Sequence, residues 1–307
     1  MKTKTRARRE SSGSPAIVYK LNPKPIWSNQ PTYDFTVVGC GGTGGFVAEG
    51  LCRLLYGAAH TQITLVDFDT IEPRNLLRQD FYPGEVGMFK SEALALRLSR
   101  QYGRVIHHVT QPFDVQHASN GYIIGCVDNA LARQAIAAAT PTWWIEAGNG
   151  HNWGQVLIGN RDARSLEQGF DKEGNCYYLP KPSVQMPELL VSVNGDLGPD
   201  CAEAVIAGDQ SPMINQAMAN LVLEFVRQLM AGQLTWMQAY IDLDHGVMRT
   251  VPARPDIVYE MTKIPVSRLM RKEQSNGRRN YRRTGTGGDN RGGYSGNANN
   301  DDNDDER

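Results

Sequence analysis

A doubly wound α/β fold is predicted by three observations. Apolar strand segments alternate with amphipathic helical segments over the first half of the chain, a glycine-rich turn joins the first strand to the first helix, and no run of about 18 apolar residues interrupts this pattern. The alternation implies a Rossmann-like, mainly parallel sheet with helices on both faces, because parallel neighbours need crossover connections. A C-terminal helix and an antiparallel hairpin are expected to complete the domain.

The elements follow in order. FTVVG, Phe35 to Gly39, is a buried strand, and the turn VVGCGGTGG leads into a helix with Phe46, Val47, Leu51, Leu54 and Leu55 at helical spacing and Gly57 as its stop. QITLVD, Gln62 to Asp67, is the second strand. A helix runs from Lys90 to its closing Gly103, and RVIHHV returns as a strand. YIIGCVD, Tyr122 to Asp128, is another buried strand, followed by the helix ALARQAIAAA and the strands WWIEAG and GQVLIG. Trp143 and Trp144 are expected to fill the sheet edge. In SPMINQAMANLVLEFVRQLMAG, Ser211 reads as the N-cap, Pro212 as the first helical residue and Gly232 as the stop. AYIDLDHGVMRTVPA reads as a hairpin turning at Asp244, His245 and Gly246.

The 307 residues, 40% of them hydrophobic, suffice for one large domain, expected over 31–265. A flexible basic segment, 1–30, precedes it, and a low-complexity tail, 266–307, follows. From Arg271 onward no Leu, Ile, Val, Phe, Trp or Met occurs, so the tail is expected to be disordered. A net charge of −1 argues against a nucleic-acid-coating role, and no direct nucleic-acid binding is expected. The five cysteines, Cys40, Cys52, Cys126, Cys176 and Cys201, form no CxxC pair, which fits a reducing cytoplasm. The basic start lacks an apolar signal region, so neither secretion nor membrane insertion is expected. Cys40, Cys52 and Cys126 read as small packed residues.

Gly39, Gly41 and Gly44 satisfy G-x-G-x-x-G, with Gly42 inside the turn and Asp67 ending the second strand. Alone, that pattern predicts a dinucleotide site with the carboxylate on the ribose. DFDTIEPRNLLRQDF then places Asp67, Asp69, Asn75, Arg78 and Gln79 beyond strand two, and Lys90 opens the next helix. A nicotinamide needs an apolar slot there, whereas nucleotidyl transfer needs Asn, Arg and Lys toward the phosphates. Asp128 ends a buried strand at the same face, where a carboxylate can hold Mg²⁺ against triphosphate oxygens. Asp69 reads either as a loop-capping acid or as part of the phosphate site.

With GCGGTGG, D-x-D plus NLLRQ, the lysine of GMFKSEA, CVDNALAR, GNGHNWGQV and DCAEA in this order, the chain resembles the E1-like adenylating enzymes of the ThiF/MoeB/HesA type over roughly 33–250. Within that family it is similar to the plasmid-associated PRTRC-system ThiF-type chains. The resemblance implies ATP on the glycine turn, Asp67 on the ribose, Asn75, Arg78 and Lys90 on the phosphates, Gln79 supporting their loop, and Mg²⁺ on Asp128. It further implies adenylation of the C-terminal carboxylate of a small ubiquitin-like β-grasp protein. DCAEA matches the segment where sulfur-transfer relatives carry a thiol, so Cys201 is a candidate acceptor after adenylation, with adenylation alone as the alternative.

The chain departs from the family in two places. Relatives with two CxxC pairs bind structural zinc, whereas this chain has only Cys176 near the first pair, so no zinc is expected. The family's arginine motif that reaches across a homodimer is not recognisable here; Arg6, Arg8 and Arg9 are the substitutes on offer, and a homodimer stays open. Two other readings stand beside an active enzyme: a catalytically silent subunit that holds a ubiquitin-like protein, and an NAD-dependent oxidoreductase.

Overall fold

Eight strands form one mixed sheet in the computed structural model, which describes residues 17–21, 34–58, 60–117, 121–191 and 213–272. Its strands are β2 (Asp34–Val38), β3 (Gln62–Val66), β4 (His107–Val109), β5 (Tyr122–Gly125), β6 (Trp143–Asn149), β7 (Trp153–Gly159), β9 (Trp236–Asp242) and β10 (Val247–Pro252). They lie side by side as β10-β9-β7-β6-β5-β2-β3-β4. β4-β3-β2-β5-β6 is parallel throughout, and β6, β7, β9 and β10 pair antiparallel. A two-stranded parallel pair, β1 (Lys20–Leu21) with β8 (Asn175–Cys176), lies outside this sheet.

Alternation along the strands divides the core between the two faces of the sheet. Phe35, Val37, Ile63, Leu65, Tyr122 and Ile124 belong to the larger apolar cluster with residues of α1 (Gly42–Leu54), α2 (Lys90–Tyr102) and α5 (Ile214–Met230). Val38, Val66, Ile123 and Trp144 meet Ile136 of α3 (Ala130–Ala138) on the other face. Helices therefore cover both faces, as the alternation predicts. Three short helices, α4 (Pro182–Gln185), α6 (Pro255–Thr262) and α7 (Val266–Leu269), complete the set. No helix among the described residues is long and apolar enough to cross a membrane.

Several boundaries differ from expectation. α1 starts at Gly42, inside the glycine turn, and ends at Leu54 before Gly57, while α2 closes on Gly103 in the left-handed conformation as expected. Trp143 and Trp144 are buried on β6, an interior strand rather than an edge. The hairpin turns at Asp244–Gly246 as read. Residues 17–21, assigned to the flexible start, include Tyr19 and Leu21, both buried, because the Tyr19 ring packs edge-on against Phe170 with centroids 5.0 Å apart. Likewise 266–270, assigned to the tail, hold α7 and buried Leu269, and Phe170 bridges to Met270. Apolar side chains account for both extensions. Ser211 and Pro212, Arg6, Arg8 and Arg9, Cys201 and 273–307 lie outside the described residues, as does the second of the chain's two units, 273–307.

Candidate active site

Strand register brings the site loops to one rim. Val38 pairs level with Val66 on one side and with Gly125 on the other, so the segments that follow all emerge at the same end of the parallel strands. These are the glycine turn, Asp67 to Gln79, and Cys126 to Asp128. β2 is also where the parallel strand order reverses, the switch point at which open α/β sheets leave a crevice.

The four glycines serve different ends. Gly39 has φ +86°, and a Cβ there would lie 2.5 Å from the Cys126 carbonyl oxygen, so the turn needs both its left-handed backbone and its missing side chain. A Cβ at Gly44 would strike the Gly39 carbonyl at 1.8 Å, and one at Gly42 the Asn215 Nδ2 at 2.4 Å. Gly41 is different, since its nearest neighbour is the Gln79 amide at 3.7 Å. It is also the N-cap of α1, where no side chain accepts the first-turn N–H groups and no acidic residue stands in that turn. An uncapped helix start of this kind favours an anion.

Gln79 completes that concavity. It is 8% exposed, its Oε1 has no hydrogen-bond partner, and its Nε2 donates to no other described residue. A buried amide left unpaired costs about 1–3 kcal/mol; an anion at Gly41 would accept from Nε2, whereas Oε1 takes only a donor. Beside it, Asn75 is buried and its Oδ1 accepts the Glu72 N–H at 2.9 Å, while Arg78 is half-buried.

Asp67 organises the rim. Its Oδ2 accepts the Cys40 N–H at 2.6 Å and its Oδ1 accepts the Asp69 N–H at 2.8 Å, while Ser91 donates its hydroxyl to the Asp67 carbonyl at 2.8 Å. Burial raises the Asp67 carboxyl above its ordinary value, against the two amides and the nearby Lys90 ammonium. Both oxygens retain further acceptor capacity. Lys90, 8% exposed, places Nζ 2.9 Å from Asp69 Oδ2. Asp69 thus holds the lysine at the rim. Asp128 is exposed and has no partner among the described residues; Asn129 caps α3 by accepting the Ala132 N–H at 2.8 Å.

A polar chain not anticipated from sequence joins these parts. Thr43 donates to Asn149 Oδ1 at 3.2 Å, Asn149 Nδ2 donates to Asn215 Oδ1 at 3.4 Å, and Asn215 Nδ2 donates to the Arg78 carbonyl at 3.1 Å. The signal was available, because Asn215 shares a helical face with Met218, Ala219 and Val222, where an apolar residue is the rule. Arg133 of α3 was missed as well. It donates to Glu146 Oε1 at 2.8 Å and to the Val127 carbonyl just before Asp128. Burial pushes the Cys40, Cys126 and Cys176 thiols up and carries Cys52 to about 11, which disfavours the thiolate at all four. Cys176 is buried, and its thiol donates to the Tyr178 carbonyl at 3.7 Å.

The sequence profile described as the ThiF family matches residues 32–253, most of the chain. The chain belongs to the ThiF family. Curated relatives of this ThiF-family chain include ubiquitin-like modifier-activating enzyme 5 of Branchiostoma floridae, 32% identical over 142 residues, which are 39% of this chain and 34% of that one. The ATP-dependent ubiquitin transferase-like protein Cap2 of Pseudomonas aeruginosa is 34% identical over 96 residues, 31% of this chain and 17% of that one. The chain thus spans about a third or less of these relatives' length. Among solved structures, PaaA superposes with a TM-score of 0.51 at 17% identity, covering 72% of this chain and 73% of that one, a likeness of fold.

Proposed function

We propose that this ThiF-family chain adenylates the C-terminal carboxylate of a small ubiquitin-like β-grasp protein at the expense of ATP. The observation that carries the reading is the meeting, at one rim, of an uncapped helix start, the Gln79 amide over Gly41, and the segments that carry Arg78 and Lys90. A dense anion on the first turn of α1 would accept hydrogen bonds from the helix start and from Gln79 Nε2. The names of the relatives, ubiquitin-like modifier-activating and ubiquitin transferase-like, support the same class.

The residues divide the work. The α1 N–H groups and Gly41 cradle phosphates, Asp67 takes the ribose hydroxyls, and Asn75 and Arg78 stand on the phosphate side with Gln79 against the turn. Lys90 would exchange Asp69 for a phosphate oxygen, keeping its charge in the site throughout. Asp128 has the exposure and open carboxylate to hold Mg²⁺, which supplies charge neutralisation on the phosphate oxygens. The partner's carboxylate attacks the α-phosphorus and the bond to pyrophosphate breaks, leaving an acyl-adenylate; the fixed donors stabilise the charge that builds during that exchange. In a second step, the Cys201 thiolate attacks the acyl carbon and AMP leaves, giving a thioester.

Titration of purified protein with ATP-Mg²⁺ and with NAD⁺, followed by pyrophosphate exchange into ATP with a β-grasp partner, tests this reading. ATP binding and partner-dependent exchange are expected, with exchange lost in Lys90→Ala and Asp128→Ala although both remain folded. Exchange that persists in either variant removes its assigned role. Preference for NAD⁺ would make the site an oxidoreductase's, and ATP binding without exchange would make the chain a holding subunit.

A further inference from the structure

Asn215 is the second residue of α5 and is 3% exposed, in line with the buried Met218, Ala219 and Val222. An amide in that row is costly unless hydrogen-bonded, and both ends of this one are committed to the rim. Nδ2 donates to the Arg78 carbonyl, and Oδ1 accepts from Asn149, which in turn accepts from Thr43. Its flank lies where a Gly42 side chain would be, with Nδ2 at 2.4 Å and Cγ at 2.5 Å from that Cβ position. One side chain therefore touches the loop of Arg78 and Gln79, the first turn of α1 and the end of β6. The missing side chain at Gly42 is a condition of this contact rather than of phosphate approach.

We propose that Asn215 is a positioning residue of the nucleotide site, locking the 75–79 loop against the first turn of α1 so that Arg78, Gln79 and the helix start face one ligand. The proposal rests on the nucleotide reading above. Gln79 lies on Gly41 without a hydrogen bond, so it contributes little to holding the loop before ligand arrives; Asn215 supplies a directional tie from the long helix. A residue far from the glycine turn in sequence thereby sets the shape of that turn's partner.

ATP affinity of the full-length chain in the presence of Mg²⁺, measured by calorimetry beside thermal unfolding and amide hydrogen exchange, tests the proposal. Asn215→Asp keeps the size and the acceptor for Asn149 but turns a carboxylate oxygen toward the Arg78 carbonyl, and about a tenfold loss of affinity is expected, the scale of one hydrogen bond. Asn215→Ala should weaken ATP comparably and speed exchange at 75–80 without speeding it in β2 or β3. Gly42→Ala should cost less affinity in the Asn215→Ala background than alone, because the added methyl enters vacated space. Unaltered ATP affinity in both Asn215 variants, unaltered exchange at 75–80, or an equal Gly42→Ala cost in both backgrounds overturns the proposal. A wild type that binds no ATP sinks the nucleotide reading and this proposal with it, an outcome visible before any variant is made.

Discussion

Glu146, on β6, has no exposed surface, and its two oxygens accept from Arg133 Nε at 2.8 Å and Trp144 Nε1 at 3.0 Å. Burial pushes its carboxyl from an ordinary 4.5 up to about 7, against the pull of Arg133. Between those two values the unfolded chain has lost the proton that the folded chain keeps. The folded state binds more protons there, so stability falls as pH rises through the window, by about 3 kcal/mol if the whole shift is expressed. Denaturant unfolding from pH 4.5 to 7.5 should show that decline in the wild type and a flatter profile in Glu146→Gln, which carries no titrating proton. Equal slopes would remove Glu146 as the cause. At this scale the sequence was informative about backbone and blind to partners: Gly39, Asp67 and Lys90 were identifiable from spacing, but spacing does not show that Asp69 holds Lys90 or that Asn215 reaches Gly42. Such contacts join residues far apart in the chain, and only packing specifies them.

Among elements, the segment around Phe170 gathers three distant parts of the chain. Gln168 N–H donates to the Arg268 carbonyl at 2.8 Å, Phe170 N–H to the Leu269 carbonyl at 3.0 Å, and Arg271 N–H to the Phe170 carbonyl at 2.7 Å. The Arg271 guanidinium lies 3.6 Å from the Tyr177 ring centroid, and Tyr177 donates its hydroxyl to Asp171 at 2.9 Å. Asp171 also accepts from the Glu173 and Asn175 N–H groups and the Asn175 side chain. Cys176 lies here too, buried in the core with its thiol toward the Tyr178 carbonyl. Arg271→Ala removes the stacked cation and one side-chain donor, and should cost about 1–2 kcal/mol in denaturant unfolding. Because the tie is made of backbone hydrogen bonds and ring contacts, a chelator should leave the wild-type Tm in place; a chelator-induced fall would reveal a metal. The elements of this region were the least legible, since two-residue strands and single turns carry no periodicity. The long segments were legible for the opposite reason: α2 and α5 repeat their apolar residues over several turns.

Over the whole molecule, the alternation of strands and helices was sufficient to foresee a parallel sheet covered on both faces, and the hairpin was visible from its turn. The antiparallel attachment of β7 to β6 and β9 was not, because pairing direction depends on the path of the connections and not on strand composition. That attachment extends the sheet away from the rim where β2, β3 and β5 end.

The meeting of Tyr19, Phe170 and Met270, with the Tyr19 hydroxyl 3.9 Å from the Met270 sulfur, has a topological consequence. The described segments 17–21 and 266–272 meet on one residue, so the connectivity between them can be rewired without moving what lies in between. A circular permutant that joins Lys272 to Ile17 through a short Gly/Ser linker and opens the exposed turn between Asp244 and His245 should retain the wild-type circular dichroism spectrum and ATP affinity. Loss of both would show that the covalent order of the strands, and not only their final arrangement, is required to build the crevice.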